Sequence, residues 1–273
     1  MNNLVIVLRN TLLAAVTAAL VGCAAPVKEP PQAPARPTVL VTGANRGIGL
    51  ELARQYAARG WGVIATAREP GAATDLQQLA AERGNVIVER LDVTDFRQID
   101  ALAERYRGVP IDVLLNNAGI LGDNDKQKFG SFDYSAFDAV MNTNVKGPTR
   151  MAEAFIDHVA ASDQKKIMNV SSLVGSIELT FGGQTFYRAS KAALNMTMRN
   201  LSKETRRSDV AARRDVVFGL INPGVVDTGF AKNVPIPMIT AEVSAAGVIR
   251  VIDSYTKDMS GSFMDYTGKK LPW

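Results

Sequence analysis

In the stretch FYRASKAALN, Tyr187 and Lys191 stand four residues apart, a spacing that puts both side chains on one face of a helix. A free phenol has a pKa of about 10 and is a poor base near neutrality. A neighbouring ammonium stabilises the phenolate and pulls that pKa down, so the pair can exchange a proton with a carbonyl or an alcohol. Few other residues compete for this work. The 273-residue chain has one cysteine, Cys23, and one histidine, His158, which excludes an intramolecular disulfide, a cysteine-rich metal site and a multi-histidine metal cage. His158 lies in AEAFIDHVAAS, an amphipathic helical pattern, and reads as a surface side chain. Acid-base chemistry is left to Ser, Tyr, Lys, Asn, Asp and Glu.

A second stretch, VLVTGANRGIGLELA, is built to hold an anion. Its glycines fall between an apolar β-branched run and a helical pattern, where they permit a tight turn and let backbone N–H groups meet a pyrophosphate at the positive end of the helix. The next apolar run, GVIATA, ends at Arg68 rather than at an acid. A carboxylate there would bind the ribose hydroxyls of NAD, whereas an arginine pairs with the 2′-phosphate of NADP, and Arg46 within the turn is a second cation for it. Glu69 follows Arg68 directly, so NADP(H) is favoured with NAD(H) left open.

The spacing TGxxxGxG over Thr42 to Gly49 resembles that of the short-chain dehydrogenase/reductase family. It differs from the GxGxxG of larger dehydrogenases and from the TGxxGxxG of the family's extended epimerases. Further motifs follow in the family's order: Asp92-Val93 after the third strand, Asn116-Asn117-Ala118-Gly119 after the fourth, and Asn222-Pro223-Gly224-Val225-Val226-Asp227-Thr228 after the sixth. The resemblance implies a cofactor site of Gly43, Asn45, Arg46, Gly47, Ile48, Gly49, Arg68, Asp92, Val93, Asn117, Ala118, Gly119, Pro223, Gly224, Val226 and Thr228, with Tyr187 and Lys191 also touching the cofactor. It implies Tyr187 as acid/base and Lys191 on the nicotinamide ribose. It also implies Ser172 on the substrate oxygen and Asn144 as anchor of a proton-relay water. Ser171 and Asn142 are the near neighbours that could be confused with the last two; the residue three before Gly175 selects Ser172. Ser172 and Tyr187 are fifteen residues apart, about two more than is common in the family. That gap, SKAALN and the ending FMDYTGKKLPW resemble the C-factor and small carbonyl-reductase branch. The implied activity is NADP(H)-dependent interconversion of a carbonyl and an alcohol. A non-catalytic nucleotide-binding or signalling protein on the same fold is the alternative, and homodimers or homotetramers are common in the family.

The elements that must position these residues are legible as alternation. From Thr38 onward, seven near-continuous apolar runs alternate with helical patterns, the mark of a parallel, doubly wound α/β sheet covered on both faces. An apolar fraction of 47% suits one well-buried domain. Thirty-one basic against 27 acidic residues give a net charge of +4. The one dense basic cluster, RRSDVAARR, reads as a solvated helix end and loop, so no nucleic-acid partner is expected. The substrate is expected to lie under the apolar segment GFAKNVPIPMIT after Thr228.

The first 37 residues stand apart. Arg9 and the apolar run TLLAAVTAALVG match a secretory signal over residues 1–22. Leu20-Val21-Gly22-Cys23 resembles the bacterial lipoprotein box, which implies a lipid on Cys23 and a membrane-anchored, periplasmic protein. A proline-rich tether then reaches residue 37, and the catalytic domain spans 38–273. A start site placed too early would instead give a cytoplasmic enzyme.

Overall fold

The computed structural model describes residues 36–228 and 237–273. The leader, Cys23, most of the tether and residues 229–236 of the expected substrate segment lie outside the described residues. Seven strands form one parallel sheet: β1 (Thr38–Val41), β2 (Gly62–Ala67), β3 (Val86–Arg90), β4 (Val113–Asn116), β5 (Lys166–Val170), β6 (Val217–Asn222) and β7 (Ser262–Asp265), in the order β3-β2-β1-β4-β5-β6-β7. All residues of β1, β2, β4, β5 and β6 are buried, as strands covered on both faces must be.

Among the described residues seven α-helices provide the cover: α1 (Gly47–Ala58), α2 (Thr74–Glu82), α3 (Phe96–Arg105), α4 (Tyr134–Met141), α5 (Gly147–Ala160), α6 (Thr185–Thr205) and α7 (Ala241–Ser254). Alternate strand residues serve opposite cores. Val39 and Val41 join the apolar faces of α1, α2 and α7, while Leu40 joins those of α3, α5 and α6. Asp95, Asp133 and Thr240 cap α3, α4 and α7 with side-chain oxygens that accept first-turn N–H groups. The helical run from Tyr134 to Ala160 is interrupted. Asn142–Lys146 forms a wider, i→i+5 turn between α4 and α5, a device frequent at functional sites.

The chain runs outward from β1 through β2 to β3 and then returns to place β4 on the other side of β1, in the register Val41↔Leu115. This reversal opens a crevice at the carboxyl ends of β1 and β4. His158 is half-buried rather than on the surface: its Nε2 lies 3.1 Å from the Ala103 carbonyl and its ring packs on Phe155. The basic cluster is spent on surface contacts, Arg213 pairing with Asp157 at 2.7 Å and Arg206 and Arg214 donating to the Lys257 and Ser208 carbonyls. Among the described residues no helix is long and apolar enough to cross a membrane.

Candidate active site

The crevice is sewn together before any ligand enters. At the end of β1 the Thr42 hydroxyl accepts the backbone N–H groups of Asn117 and Ala118, each at 3.0 Å. Asn117 answers with its carboxamide, which donates to the carbonyls of Thr42 at 2.9 Å and Gly43 at 3.1 Å. A β-carbon at Gly49 would lie 2.2 Å from the Gly43 oxygen and 2.5 Å from Asn117 Nδ2, so only glycine lets α1 start this close to the turn. Asn45 and Arg46 are exposed on the turn, Ile48 is half-buried, and Arg68 is exposed just past β2. Neither Arg46 nor Arg68 has an ion-pair partner among the described residues.

The other predicted cofactor residues reach the same crevice from neighbouring strands. Thr228 comes to Gly47, where a β-carbon would stand 3.4 Å from the threonine methyl. The segment leading to it is fixed at both ends: the Pro223 carbonyl accepts the Ser244 hydroxyl at 2.6 Å, and Val226 pairs with Ile239. Gly224 packs against Tyr266 and Ile239. Past β3, Asp92 takes the Thr94 N–H at 2.9 Å and hydroxyl at 2.7 Å, and buried Val93 packs against Gly147.

The candidate proton-transfer residues assemble beside Gly119. Asn144 lies in the wide turn, buried, and its Oδ1 accepts the Ile120 N–H while its Nδ2 donates to the Ile120 carbonyl, both at 2.8 Å. A β-carbon at Gly119 would meet both Asn144 Oδ1 at 3.3 Å and Lys191 Nζ at 3.7 Å. The two serines after β5 divide in role. Ser171 is buried and donates to Asn195 Oδ1 at 2.6 Å, whereas the Ser172 hydroxyl bonds the Tyr187 phenol. Gly175 lets α6 pack closely, since a β-carbon there would lie 2.8 Å from that of Lys191. Lys191 Nζ donates to the Val170 carbonyl at 2.9 Å and stands 5.7 Å from the Tyr187 ring centroid.

The electrostatics depart from the sequence expectation. Burial dominates at Tyr187 and pushes the phenol up to about 12, against a smaller downward pull from the Ser172 hydroxyl. Burial also pushes Lys191 down to about 8. Desolvation outweighs the Ser172 hydrogen bond at Tyr187 and is the cause at Lys191. At neutral pH the phenol therefore keeps its proton and the lysine keeps most of its charge.

Three residues escaped the sequence analysis in these roles: the Thr42 hydroxyl, Gln127 and Ser190. Ser190 is buried, accepts from Asn144 Nδ2 at 3.0 Å and donates to the Tyr187 carbonyl at 2.7 Å; its place three residues after Tyr187 was a usable signal. Gln127, inside the polar string DNDKQK, offered none.

The short chain dehydrogenase family model matches residues 37–237. The chain is 35% identical over 241 residues to 1-hydroxy-2-glutathionyl-2-methyl-3-butene dehydrogenase of Rhodococcus sp. (strain AD45), covering 86% of this chain and 99% of that protein. It is 35% identical over 165 residues to the C-signal protein of Myxococcus xanthus, 60% of this chain and 93% of that one. The NADPH-bound carbonyl reductase from chicken fatty liver superposes with a TM-score of 0.79 at 32% identity, covering 86% of this chain and 98% of the reductase. With that match running from the phosphate turn through the Tyr187–Lys191 pair to the segment after β6, the chain belongs to the short-chain dehydrogenase family and is an NAD(P)-dependent oxidoreductase.

Proposed function

We propose that the protein is an NADP(H)-dependent carbonyl reductase acting on a ketone or aldehyde. The observation that carries this reading is the Tyr187 phenol bonded to the Ser172 hydroxyl, with Lys191 Nζ 5.7 Å from its ring centroid. Such a group can pass a proton to a substrate oxygen.

The residues present fit the cofactor. Gly49 leaves the cradle without a side chain, and the first turn of α1 has neither a side-chain cap nor an acid to compete with a phosphate. Arg46 and Arg68 would take a 2′-phosphate, Asp92 and Val93 the adenine, and Pro223 to Thr228 the nicotinamide side. The similar chicken reductase carries NADPH, which supports NADP(H) over NAD(H). When bound, the nicotinamide supplies the hydride. Ser172 then holds the substrate oxygen and Tyr187 Oη gives that oxygen its proton. The phenolate left behind is stabilised by the Lys191 ammonium. Asn144, locked to Ile120, would anchor the water that reprotonates this pair.

The test is consumption of NADPH by the full chain in detergent against a panel of ketones and aldehydes. Tyr187→Phe should abolish turnover while NADPH binding, followed by fluorescence, persists; substantial residual reduction refutes the assigned acid. A protein that binds NADPH but turns over no carbonyl would be the binding or signalling alternative. Lipidation of Cys23 on the periplasmic side belongs to the same proposal. Thr38 begins β1 at the amino end of the sheet, opposite the crevice at the carboxyl ends of the strands. An intact mass without a diacylglyceryl group on Cys23 would remove the anchor. Assembly into a homodimer or homotetramer completes the proposal and is read from the native mass.

A further inference from the structure

We infer that Gln127 is a positioning residue for Tyr187, acting as the cap of the catalytic helix from outside that helix. The first N–H groups of any helix lack intrahelical acceptors and are normally met by the side chain of the residue at the helix start. At α6 that residue is Gln184, which sits in the left-handed region at φ 48° and makes no side-chain cap. It ends the loop after Ser172 and follows Gly182 and Gly183, themselves at φ 87° and 72°. The acceptor comes instead from the loop after β4: Gln127 Oε1 takes the Tyr187 N–H at 3.0 Å.

Gln127 is suited to nothing but this geometry. It is 2% exposed, and its Nε2 donates to the carbonyls of Leu121 at 3.0 Å and Asp123 at 3.2 Å. Both N–H groups and the oxygen are thus used, and a flipped amide would face donor to donor and acceptor to acceptor. The bonds also close a ring. From Tyr187 N–H the path runs to Gln127, to Leu121 and its neighbour Ile120, to Asn144, to Ser190, and back to the Tyr187 carbonyl. The backbone of the proton donor is held at both its N–H and its C=O, and one arm of the ring passes through Asn144. Loss of the Gln127 arm frees the first turn of α6 to fray. The displacement is greatest at Oη, the far end of the side chain, where an error of about 1 Å costs on the order of a hundredfold in rate.

The proposal rests on the carbonyl-reductase reading for its kinetic test but not for its structural one. Gln127→Leu removes all three bonds at similar size. It should lower kcat at least about tenfold, leave the KM for NADPH within about twofold, and speed amide exchange at Tyr187 at least about tenfold. Gln127→Glu, assayed at about pH 6 with its buried carboxyl protonated, keeps the acceptor and one donor and should hold kcat within about threefold of wild type, losing it as the pH rises. A kcat for Gln127→Leu within about twofold of wild type, with only Tm lowered, overturns the positioning role. Should Gln127→Leu not fold, the pH dependence of kcat in Gln127→Glu decides: loss with rising pH beyond that of wild type supports the role, and a profile like wild type overturns it. If the wild type reduces no carbonyl, the functional reading has failed by itself. Exchange at Tyr187 then decides alone, accelerated exchange supporting the clamp and unchanged exchange overturning it.

Discussion

Replacing Gly49 with alanine tests whether backbone geometry, rather than side chains, makes the cofactor cradle. The added carbon would stand 2.2 Å from the Gly43 oxygen and 2.5 Å from Asn117 Nδ2, each about 1 Å short of the 3.4 Å at which ordinary contact begins. Neither neighbour can retreat cheaply, because Asn117 donates to Gly43 and Thr42 and the Thr42 hydroxyl holds two further N–H groups. The turn itself must therefore move away from α1 by about that distance, and N–H groups directed at a phosphate lose their aim. A hydrogen bond to a charged group contributes about 1.5–3 kcal/mol, so losing one or two costs about 3 kcal/mol. That is about a hundredfold in Kd for NADPH. Alanine's helical propensity returns at most about 1 kcal/mol to the fold and nothing to the ligand. Fluorescence titration with NADPH measures the loss. Gly84→Ala is the control, since a β-carbon there meets nothing within 4 Å and its backbone is not left-handed. If Gly49→Ala binds NADPH within about threefold of wild type, the cradle argument fails.

Ser172→Ala should cut kcat/KM by about 10²–10³, whereas Ser171→Ala should spare turnover and lower Tm through its lost buried bond to Asn195; the opposite pattern would reverse the assignment. Arg68→Asp should lower the preference for NADPH over NADH at least about tenfold in steady-state kinetics, and an unchanged ratio would remove Arg68 from the site. Reduction should hold steady to about pH 7 and decline as Lys191 deprotonates near 8, because the phenol, near 12, keeps its proton throughout. Lys191 contributes to stability with the opposite sign. Between about 8 and its ordinary 10.5 the unfolded chain keeps a proton the folded chain has lost, so this contribution rises with pH. Paired kcat and Tm measurements across that range check both trends, and Lys191→Met should lessen the rise in Tm, with Lys166, also lowered by burial, keeping its own share.

The sheet was legible because its strands carry no ambiguity. GVIATA is buried along its whole length, and a run apolar on both faces fits only an inner strand of a covered sheet. Strand ends are less legible: the apolar pattern of NVIVERLDV runs on past the strand, which ends at Arg90. The interruption at Asn142–Lys146 was not legible at all. MNTNVKGP has good helical spacing, and the wide turn coincides with Asn144's bonds to Ile120 and Ser190, 24 and 46 residues away.

The site was legible in its parts and not in its electrostatics, and the reason is the same in both cases. Tyr187 and Lys191 announce themselves because a side-chain type at a helical spacing is a local property. The direction of the Tyr187 shift is not local: it depends on how completely β5, α6 and the loop after β4 exclude water, and that burial reverses the effect expected from Lys191. Gln127 belongs to the same class. Its role arises only because Gln184 fails to cap α6, and the Tyr187 N–H left open there is answered by an amide 60 residues away. Residues that carry charge or protons can be found by type, but residues that hold them in place are found by asking which backbone groups lack a partner and what supplies it. By that test the candidate site extends beyond Asn144, Ser172, Tyr187 and Lys191 to the neutral side chains of Thr42, Gln127 and Ser190, whose hydrogen bonds hold the turn and the Tyr187 backbone.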